Sequence, residues 1–390
     1  MKKIVIISNY YPPEMGAAAN RISNLAEALY KRGHEVSIIS PLPNYPKGKI
    51  FESYKKKFFV SEILNNVNIR RCWIFPSKSK NGFLRLLSML SFACSLWINL
   101  FYLLKKKPNS IIIQSPPLLV AFSGLLLSKV IRSKNILNVS DIWPLSALEL
   151  GVIKRGKMYA FLEKVEKVNY KLADNIVGQS EETITHICKT VTKKSIVYRN
   201  VPTYQKNEPK SKKKGTLKIV YAGLLGYAQG ILNLCEQIDF HQLGVEFHIY
   251  GGGMDEEGIV NVSNKENSNV FFHGMVSSDR VSGEIKKYDV GLVPLKNKIY
   301  GAVPSKIFEL IQMGVPILFC GEGEGATIIT KNELGLIGKS EDYNQLIHNI
   351  YIFKDMKKDE FLEVSNKCLK AHKDIYNLEV QMAKMDTIIS

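Results

Sequence analysis

Short aliphatic segments recur along the chain, each followed by a glycine- or proline-rich turn and then by an amphipathic stretch. The first runs from Lys3 to Ser8; an amphipathic stretch from Ala19 to Arg32 follows it, and Gly33 precedes the next aliphatic segment at 35–39. Continuous apolar runs of this length are typical of strands buried on both faces of a parallel sheet. The alternation therefore predicts an α/β fold built of βαβ units.

The same pattern returns on both sides of a segment at 200–215 that carries two prolines and three consecutive lysines, with aliphatic segments at 110–113, 136–139, 175–177, 217–221, 245–250, 270–272, 290–293 and 316–319. We therefore predict two doubly wound, Rossmann-like domains, at 1–199 and 216–375, joined by a linker at 200–215. A C-terminal helix at 376–390 is expected to return to the first domain. Ligands of such sheets bind at the carboxyl ends of the strands, so the expected site is a cleft between the facing domains.

The net charge of the chain changes sign near the predicted linker. Residues 1–214 carry a formal net charge of +23 and residues 215–390 carry −6, within a total of +17. A basic half favours polyanionic partners. Because the sequence has no helix-turn-helix, zinc-finger or RNP pattern, we expect no nucleic acid partner and predict an anionic membrane surface instead.

The segment from Leu84 to Leu104 is almost continuously apolar and precedes three lysines. It approaches the roughly 20 residues that span a bilayer, but it contains Arg85, Asn99 and three serines, and spanning would split a βαβ fold between two compartments. We expect an interfacial or half-buried helix; a wholly buried core helix and a transmembrane helix are the alternatives. The neighbouring lysines favour contact with anionic headgroups.

The start of the chain and its cysteines indicate a cytoplasmic protein. The first aliphatic segment is too short for a secretory signal and lacks a small-residue cleavage site. The six cysteines lie far apart and form no C-x-x-C pair, which favours reduced thiols over a zinc ribbon or a redox site.

Glycine-rich turns follow several predicted strands. Gly16 ends a Tyr-Pro-Pro-Glu-Met-Gly turn in the first half; the second half has glycines at 223, 226 and 230, a run at 251–253, and His273-Gly274. Glycine lets the backbone approach an anion such as a diphosphate. No G-x-G-x-x-G fingerprint is present. Each turn alone is compatible with a purely structural role, but three in one predicted domain favour a phosphate site.

The most informative segment runs from Val303 to Leu318. Pro304 and Ser305 are typical of a helix start, with Ser305 a candidate N-cap. Lys306 then falls in the first turn, where the helix dipole favours an acid, so a lysine there indicates a phosphate ligand. Glu309, on the same face, can accept hydrogen bonds from two ribose hydroxyls. The alternative is an ordinary surface lysine and glutamate.

These motifs resemble those of the family 4 glycosyltransferases of the GT-B fold, and particularly the bacterial enzymes of O-antigen and capsule synthesis such as the N-acetyl-L-fucosamine transferases. The resemblance covers nearly the whole chain. It rests on residues 11–16, Arg-Gly-His-Glu-Val at 32–36, Ser-Pro-Pro at 115–117, Asp-Ile-Trp-Pro at 141–144, Tyr-Ala-Gly at 221–223 and Pro-Ser-Lys-Ile-Phe-Glu at 304–309.

The resemblance implies a site for a UDP-sugar. Glu309 would bind the ribose, His273 would lie near the base, Lys306 would act on the leaving diphosphate, and Asp141 would lie near the transferred sugar or the acceptor. Asp141 and Lys306 are thus the expected catalytic residues. The expected donor-binding residues are Gly16, Gly223, Gly226, Gln229, Gly251, His273, Pro304, Ser305, Lys306 and Glu309. No metal or other cofactor is implied, and the chain contains no Asp-x-Asp sequence.

Three features depart from the family pattern. Gly301 stands where the first glutamate of the E-x7-E signature is expected. The loop after the first strand of the second domain holds Leu224, Leu225 and Gln229 in place of the usual arginine and lysine. Leu145 replaces the glutamate of the related sequence Asp-Leu-Trp-Pro-Glu-Ser.

The resemblance implies retaining transfer of a sugar, expected to be an N-acetylated amino sugar, from a UDP-sugar to a polyprenyl-diphosphate-linked saccharide in O-antigen or capsule synthesis. The enzyme would then associate peripherally with the cytoplasmic face of the inner membrane. A UDP-N-acetylhexosamine 2-epimerase of the same fold and a non-catalytic membrane scaffold are the alternatives. The epimerase needs no lipid acceptor, so the apolar, lysine-flanked segment at 84–107 disfavours it. The intact Lys306 and Glu309 disfavour the non-catalytic scaffold.

Overall fold

A computed structural model describes residues 1–79, 82–212 and 215–389 and divides the chain into two compact units. The first unit is Met1–Arg199 together with the C-terminal residues from Met382 onward, and the second is Asn200–Gln381.

The first unit is built on an eight-stranded sheet with the order β3-β4-β2-β1-β5-β6-β7-β8. Neighbouring strands are parallel except β3 and β4, which form an antiparallel hairpin at one edge. The strands are β1 (Lys3–Ile7), β2 (Glu35–Pro41), β3 (Phe59–Leu64), β4 (Val67–Cys72), β5 (Ser110–Ser115), β6 (Lys134–Val139), β7 (Asn175–Gly178) and β8 (Ser195–Val197). The helices are α1 (Ala17–Lys31), α2 (Gly82–Ser95), α3 (Leu100–Lys106), α4 (Leu118–Val130), α5 (Leu145–Glu149), α6 (Lys157–Leu172) and α7 (Glu181–Cys188), with 3-10 turns at Glu52–Tyr54 and Leu96–Asn99.

The second unit has a six-stranded, fully parallel sheet with the order β11-β10-β9-β12-β13-β14. The strands are β9 (Leu217–Ala222), β10 (Val245–Tyr250), β11 (Val270–Phe272), β12 (Val290–Pro294), β13 (Ile317–Cys320) and β14 (Gly335–Gly338). The helices are α8 (Ile231–Gln237), α9 (Glu256–Ser263), α10 (Ser278–Ile285), α11 (Lys306–Gln312), α12 (Glu324–Asn332), α13 (Tyr343–Asp355), α14 (Lys358–Asp374) and α15 (Leu378–Ile389), the last of which ends in the first unit. This strand order is that of a doubly wound dinucleotide-binding fold.

Apolar strands covered on both faces explain the two sheets. Ile4, Val5, Ile6 and Ile7 of β1 are all fully buried, between β2 and β5. An isolated apolar strand gains stability only when helices cover both of its faces, which the βαβ connections provide. The predicted α/β class with two parallel sheets is confirmed.

The end of α15 packs on the first unit. Met382, Met385 and Ile388 are fully buried there. The main-chain oxygen of Ile389 accepts a hydrogen bond from Lys2 Nζ at 3.2 Å, and that of Ile388 accepts one from Asn175 Nδ2 at 3.2 Å.

The segment that follows Arg199 is bound to the second unit. Asn207 Nδ2 donates to the carbonyl oxygen of Gln312 at 2.7 Å, and Gln312 Nε2 donates to that of Thr203 at 2.8 Å. The backbone N–H of Lys210 donates to Ser365 Oγ at 2.7 Å. These bonds hold residues 203–210 against α11 and α14.

The apolar segment of the first unit forms α2, the 3-10 turn Leu96–Asn99 and α3. Together these make the one helix, among the described residues, that is long and apolar enough to cross a membrane by length and composition. One side is buried, through Phe92, Leu96 and Leu103. The opposite side exposes apolar side chains, here called the apolar face: Phe83, Leu87, Leu90, Ile98, Phe101 and Leu104. The segment is therefore half-buried, and the alternative of a wholly buried core helix is wrong.

Candidate functional site

Three glycine-rich loops run side by side beyond the carboxyl ends of β9, β10 and β11. The backbone N–H of Gly223 donates to the carbonyl oxygen of Tyr250 at 2.9 Å, and that of Leu225 donates to Gly252 at 3.1 Å. On the other side, the N–H of Gly251 donates to the carbonyl oxygen of Gly274 at 2.9 Å. The structure thus brings together the predicted glycines that follow these three strands.

Two of these glycines are required by backbone packing. A Cβ atom at Gly251 would lie 1.8 Å from the carbonyl oxygen of Gly223, and Gly251 has a φ of +147°. A Cβ at Gly253 would lie 2.0 Å from the carbonyl oxygen of Leu225. At Gly226, by contrast, the nearest atom would be Gln229 Oε1 at 3.9 Å, so the chain itself leaves room there for a side chain or for a ligand.

The side chain of Lys306 fills the space above Gly223. A Cβ at Gly223 would lie 2.2 Å from Lys306 Cε and 2.4 Å from its Nζ. Burial lowers the pKa of Lys306, and the charge of Glu309 opposes that shift. No carboxylate among residues 1–79, 82–212 and 215–389 lies within ion-pair distance of Nζ, so this desolvated cation gains most from an anion that comes from outside the chain.

Helix α11 begins at Lys306, which confirms the predicted first-turn position of the lysine. Ser305 occupies the N-cap position, but its side chain makes no capping hydrogen bond, so its predicted capping role is wrong. Its hydroxyl donates instead to Glu309 Oε1 at 3.3 Å, while the carbonyl oxygen of Pro304 accepts from the N–H of Ile307 at 3.2 Å. Ser305 therefore orients the carboxylate of Glu309.

Gly301 has a left-handed backbone with a φ of +84°. A glutamate in its place would be held in a conformation that costs an L-residue free energy. The local backbone of this chain therefore favours glycine at position 301 over the first glutamate of the E-x7-E signature.

Two histidines form a hydrogen-bonded pair at the ends of β10 and β11. His248 Nδ1 lies 3.0 Å from His273 Nε2, and His248 Nε2 lies 3.0 Å from Glu246 Oε2. The His273 ring stacks on Tyr250 with a centroid distance of 4.5 Å. Of this group, only His273 was predicted from the sequence. The residues that contact His273 directly or through His248 could have been recognised in the sequence, because polar side chains alternate along an otherwise apolar strand at Glu246, His248 and Tyr250.

The protonation state of this pair follows from its surroundings. Desolvation raises the pKa of Glu246, but hydrogen bonds from Lys218 and His248 outweigh it and lower that pKa, so Glu246 is an acceptor only. Burial lowers the pKa of His248 and of His273, which are therefore neutral at pH 7. His248 must donate from Nε2 to Glu246 and accept at Nδ1 from His273. His273 Nδ1 is thus left as a hydrogen-bond acceptor.

Gln229 and Lys296 lie beside the loop after β9. Gln229 Oε1 is buried and accepts no hydrogen bond from the described residues. The side chain borders a cavity of about 20 Å³, enough for about one water molecule. Lys296, which the sequence analysis did not select, lies 4.4 Å from the ring centre of Tyr227 and 3.3 Å from Glu341 Oε1.

In the first unit, Gly16 and Asp141 follow strands of the sheet at their carboxyl ends. Gly16 precedes α1 with a φ of +138°. Nearby, the buried Glu14 accepts hydrogen bonds from the N–H groups of Asn44 at 2.8 Å and Tyr45 at 2.9 Å, which ties the loops after β1 and β2 together. Asp141 follows β6. Desolvation raises the pKa of its carboxyl group, and the charge of Arg21 opposes the shift.

The described parts of the chain contain no cluster of three or more His, Cys, Asp and Glu side chains arranged to hold a metal ion. All six cysteines are free, and four of them are buried. The expected absence of a metal or other cofactor stays a prediction.

The chain is similar to known enzymes over most of its length. Residues 216–353, which include the three loops, Lys306 and Glu309, match the family model of the group 1 glycosyl transferases. Over 336 residues the chain is 26% identical to the putative colanic acid biosynthesis glycosyl transferase WcaI of Escherichia coli (strain K12), covering 80% of this chain and 81% of that relative. The protein is a glycosyltransferase.

Solved structures identify the fold of this glycosyltransferase as GT-B, which confirms the predicted fold class. Sucrose-phosphate synthase from Thermosynechococcus elongatus superposes with a TM-score of 0.74 at 15% identity, covering 100% of this chain and 98% of that one. A trehalose-6-phosphate protein of E. coli, solved with UDP-2-fluoro glucose, gives a TM-score of 0.71 at 11% identity, with 100% and 99% covered.

The packing of the glycine loops predicts that two glycosyltransferase variants differ sharply. Gly251→Ala forces a Cβ against the Gly223 carbonyl and is expected to destabilise the second unit by about 1–3 kcal/mol. Gly226→Ala meets open space and should leave stability within about 0.5 kcal/mol. Urea unfolding is monitored with two probes. Circular dichroism reports on both units, whereas tryptophan fluorescence reports on the first unit alone, because Trp73, Trp97 and Trp143 all lie there. Equal stability of the two variants would contradict the packing argument.

The histidine pair makes a second prediction, on tautomers. In the unmodified glycosyltransferase, long-range ¹H–¹⁵N spectra should show His273 protonated at Nε2 and unprotonated at Nδ1. Glu246→Ala removes the acceptor for His248 and should give mixed tautomers, whereas Glu246→Gln keeps an acceptor oxygen and should preserve the pattern. A proton on His273 Nδ1 in the unmodified protein would refute the assignment.

Proposed function

We propose that this glycosyltransferase transfers an N-acetylated amino sugar from a UDP-sugar to a polyprenyl-diphosphate-linked saccharide, with retention of configuration, during synthesis of a bacterial surface polysaccharide. The observation that carries the proposal is the position of the Lys306 ammonium over Gly223, with Glu309 one turn further along α11. The name of the E. coli relative, a colanic acid enzyme, supports the pathway class, and the UDP-2-fluoro glucose of the structural neighbour supports the donor class.

Each part of a uridine diphosphate has a matching group in the second unit. The Glu309 carboxylate accepts hydrogen bonds from the two ribose hydroxyls, and the Lys306 ammonium neutralises the diphosphate. His273 Nδ1, as an acceptor, binds the N3–H of uracil. Cytosine presents a lone pair at N3, so the same histidine disfavours a cytidine nucleotide.

The proposed chemistry is a front-face substitution without a metal ion. The bond between C1 of the sugar and the β-phosphate oxygen breaks, and its electron pair stays on the phosphate, where Lys306 stabilises the new charge. The acceptor hydroxyl oxygen bonds to C1 on the same face and gives its proton to the departing phosphate. Asp141 is assigned to the transferred sugar or to the acceptor, and Gly16 to the donor diphosphate.

We assign the acceptor and the membrane to the first half of the chain. Its formal net charge of +23 suits a lipid diphosphate and an anionic bilayer. The apolar face of α2 and α3, with Phe83 and Phe101 69% and 82% exposed, suits an interfacial position on the cytoplasmic side of the inner membrane. The epimerase alternative gains no support from the family match, which is to transferases.

The ribose assignment predicts the effect of Glu309→Ala on UDP affinity. Hydrogen bonds to a charged group contribute about 1.5–3 kcal/mol, so UDP should bind about 10- to 150-fold more weakly in isothermal titration calorimetry. Glu363→Ala, which removes an exposed carboxylate from α14, is the matched control and should bind UDP normally. Unchanged affinity in Glu309→Ala would remove the ribose role of this residue.

The proposed reaction predicts the stereochemistry and metal dependence of transfer. Incubated with UDP-N-acetylhexosamines and polyprenyl-diphosphate saccharides from an inner-membrane extract, the enzyme should form a product whose new linkage keeps the anomeric configuration of the donor, read by NMR coupling constants. A chelator should leave the rate unchanged. An inverted product, a metal requirement, or a donor whose sugar changes configuration without acceptor would each overturn the proposal.

A further inference from the structure

Arg70 is held in one position and pairs with no carboxylate of residues 1–79, 82–212 and 215–389. It lies on β4, with its guanidinium carbon 4.5 Å from the ring centre of Phe59 and 4.1 Å from that of Tyr102. Its Nε donates to Oδ1 of the fully buried Asn99 at 2.7 Å. The two terminal nitrogens bond to no residue in the described ranges, so a two-pronged donor is fixed in place and open.

The next residue of β4, Arg71, has a structural role and serves as a comparison. Arg71 is fully buried and donates to Glu62, to Ser40 Oγ and to the carbonyl oxygen of Pro12. Each of its three side-chain nitrogens donates a hydrogen bond inside the fold. Arg70 has the opposite character, because its fixed position serves no ion pair among the described residues.

Arg70 lines a surface pocket of about 500 Å³, here called the Arg70 pocket. Its other charged walls are Lys3, Lys105, Lys106 and Glu35. Lys106 Nζ lies 2.6 Å from Glu35 Oε1 and balances the one carboxylate. The positive charges of Arg70, Lys3 and Lys105 remain, which makes the pocket a site for an anion with several oxygens, such as a phosphate monoester or diester.

The pocket borders the apolar face. Tyr102 and Lys105 line it, and Phe101 precedes Tyr102 on α3, where a spacing of four residues places Phe101 beside Lys105 on the helix surface. Phe101 and Leu104 are exposed. A basic pocket next to exposed apolar side chains matches the layout of a glycerophospholipid, whose charged headgroup lies beside its acyl chains.

The position in the sheet separates this pocket from the donor chemistry. Lys3 and Glu35 begin β1 and β2, so the pocket lies at the amino-terminal edge of the first sheet. The loops that carry Gly16 and Asp141 follow the opposite, carboxyl ends of their strands.

We propose that the Arg70 pocket binds the phosphate headgroup of an anionic phospholipid while the apolar face rests on the bilayer. This inference rests on the membrane position assigned under the proposed function and adds a specific lipid site to it. A site of this kind fixes the first unit in one orientation on the membrane, which general attraction between charges does not do.

The test is co-sedimentation of the full-length protein with vesicles of phosphatidylcholine alone or mixed with phosphatidylglycerol. Arg70→Lys keeps the charge but loses the planar fork, and it should weaken binding to the mixed vesicles about tenfold without changing binding to the neutral ones. Arg132→Gln, which removes an exposed charge of the same unit, should weaken binding at most about fivefold. Phe101→Ser should weaken binding to both kinds of vesicle.

The outcomes separate the lipid site from the membrane position. If Arg70→Lys binds mixed vesicles like the unmodified protein, the pocket does not recognise headgroups, although the membrane position stands. If the unmodified protein sediments with neither kind of vesicle, the lipid site and the membrane position are both wrong. The assignment of UDP to the second unit is tested separately by titration calorimetry. If Arg70→Lys loses affinity for soluble glycerol 1-phosphate in isothermal titration calorimetry but still binds mixed vesicles like the unmodified protein, the pocket serves a free phosphate and the lipid assignment is overturned. Thermal unfolding of each variant checks that it is folded.

Discussion

Backbone packs directly against backbone where β9 and β10 end, and the proposed donor site depends on that contact. Because Gly223 and Gly251 lack side chains, the two loops approach closely enough to hydrogen-bond as a continuation of the sheet. The same missing side chain at Gly223 makes the space that the Lys306 ammonium occupies. A strand end, a helix start and a cation are thereby fixed relative to one another by steric contact.

Desolvation of Lys306 explains why this arrangement favours an anionic ligand. Removing water from Lys306 lowers its pKa and costs free energy, and the nearby Glu309 offsets only part of that cost. In the proposed donor site, the diphosphate of the nucleotide supplies the missing countercharge and so offsets the remaining desolvation cost of Lys306. The histidine pair uses a related principle. A charged Glu246 and two neutral imidazoles leave the Nδ1 lone pair of His273 available as an acceptor, and the proposed function assigns this lone pair to the base.

Much of the fold could be predicted from the sequence because buried parallel strands are nearly continuous apolar runs. The segments at 245–250 and 270–272 coincide with β10 and β11, and α11 begins at Lys306 as expected. The hairpin of β3 and β4 was not predicted. It lies at a sheet edge, and Arg70 and Arg71 interrupt its apolar pattern. Strands β8 and β14, each at an edge of its sheet, were also not predicted.

Candidate site residues could be selected from the sequence only where residue type alone carries the chemistry. Lys306 could be selected because a lysine in the first helical turn opposes the helix dipole, and Glu309 because it lies on the same helical face. The requirement for glycine at 251 comes from the Gly223 carbonyl, and the acceptor role of His273 comes from Glu246 two strand positions before His248. Both depend on contacts between separate loops and strands, which spacing along one chain does not reveal. Ser305 illustrates the same limit, since its hydroxyl serves Glu309 and not the helix end.

Titration calorimetry with UDP, CDP, ADP and GDP measures whether the second unit prefers uridine diphosphate to other nucleotides. We expect UDP to bind, and CDP, whose base presents a lone pair to His273, to bind at least about tenfold more weakly. ADP should also be rejected, because adenine offers no ring N–H. Equal affinity for UDP and CDP would contradict the base assignment. A protein that binds ADP in preference to UDP, or no nucleotide at all, would contradict the donor site itself.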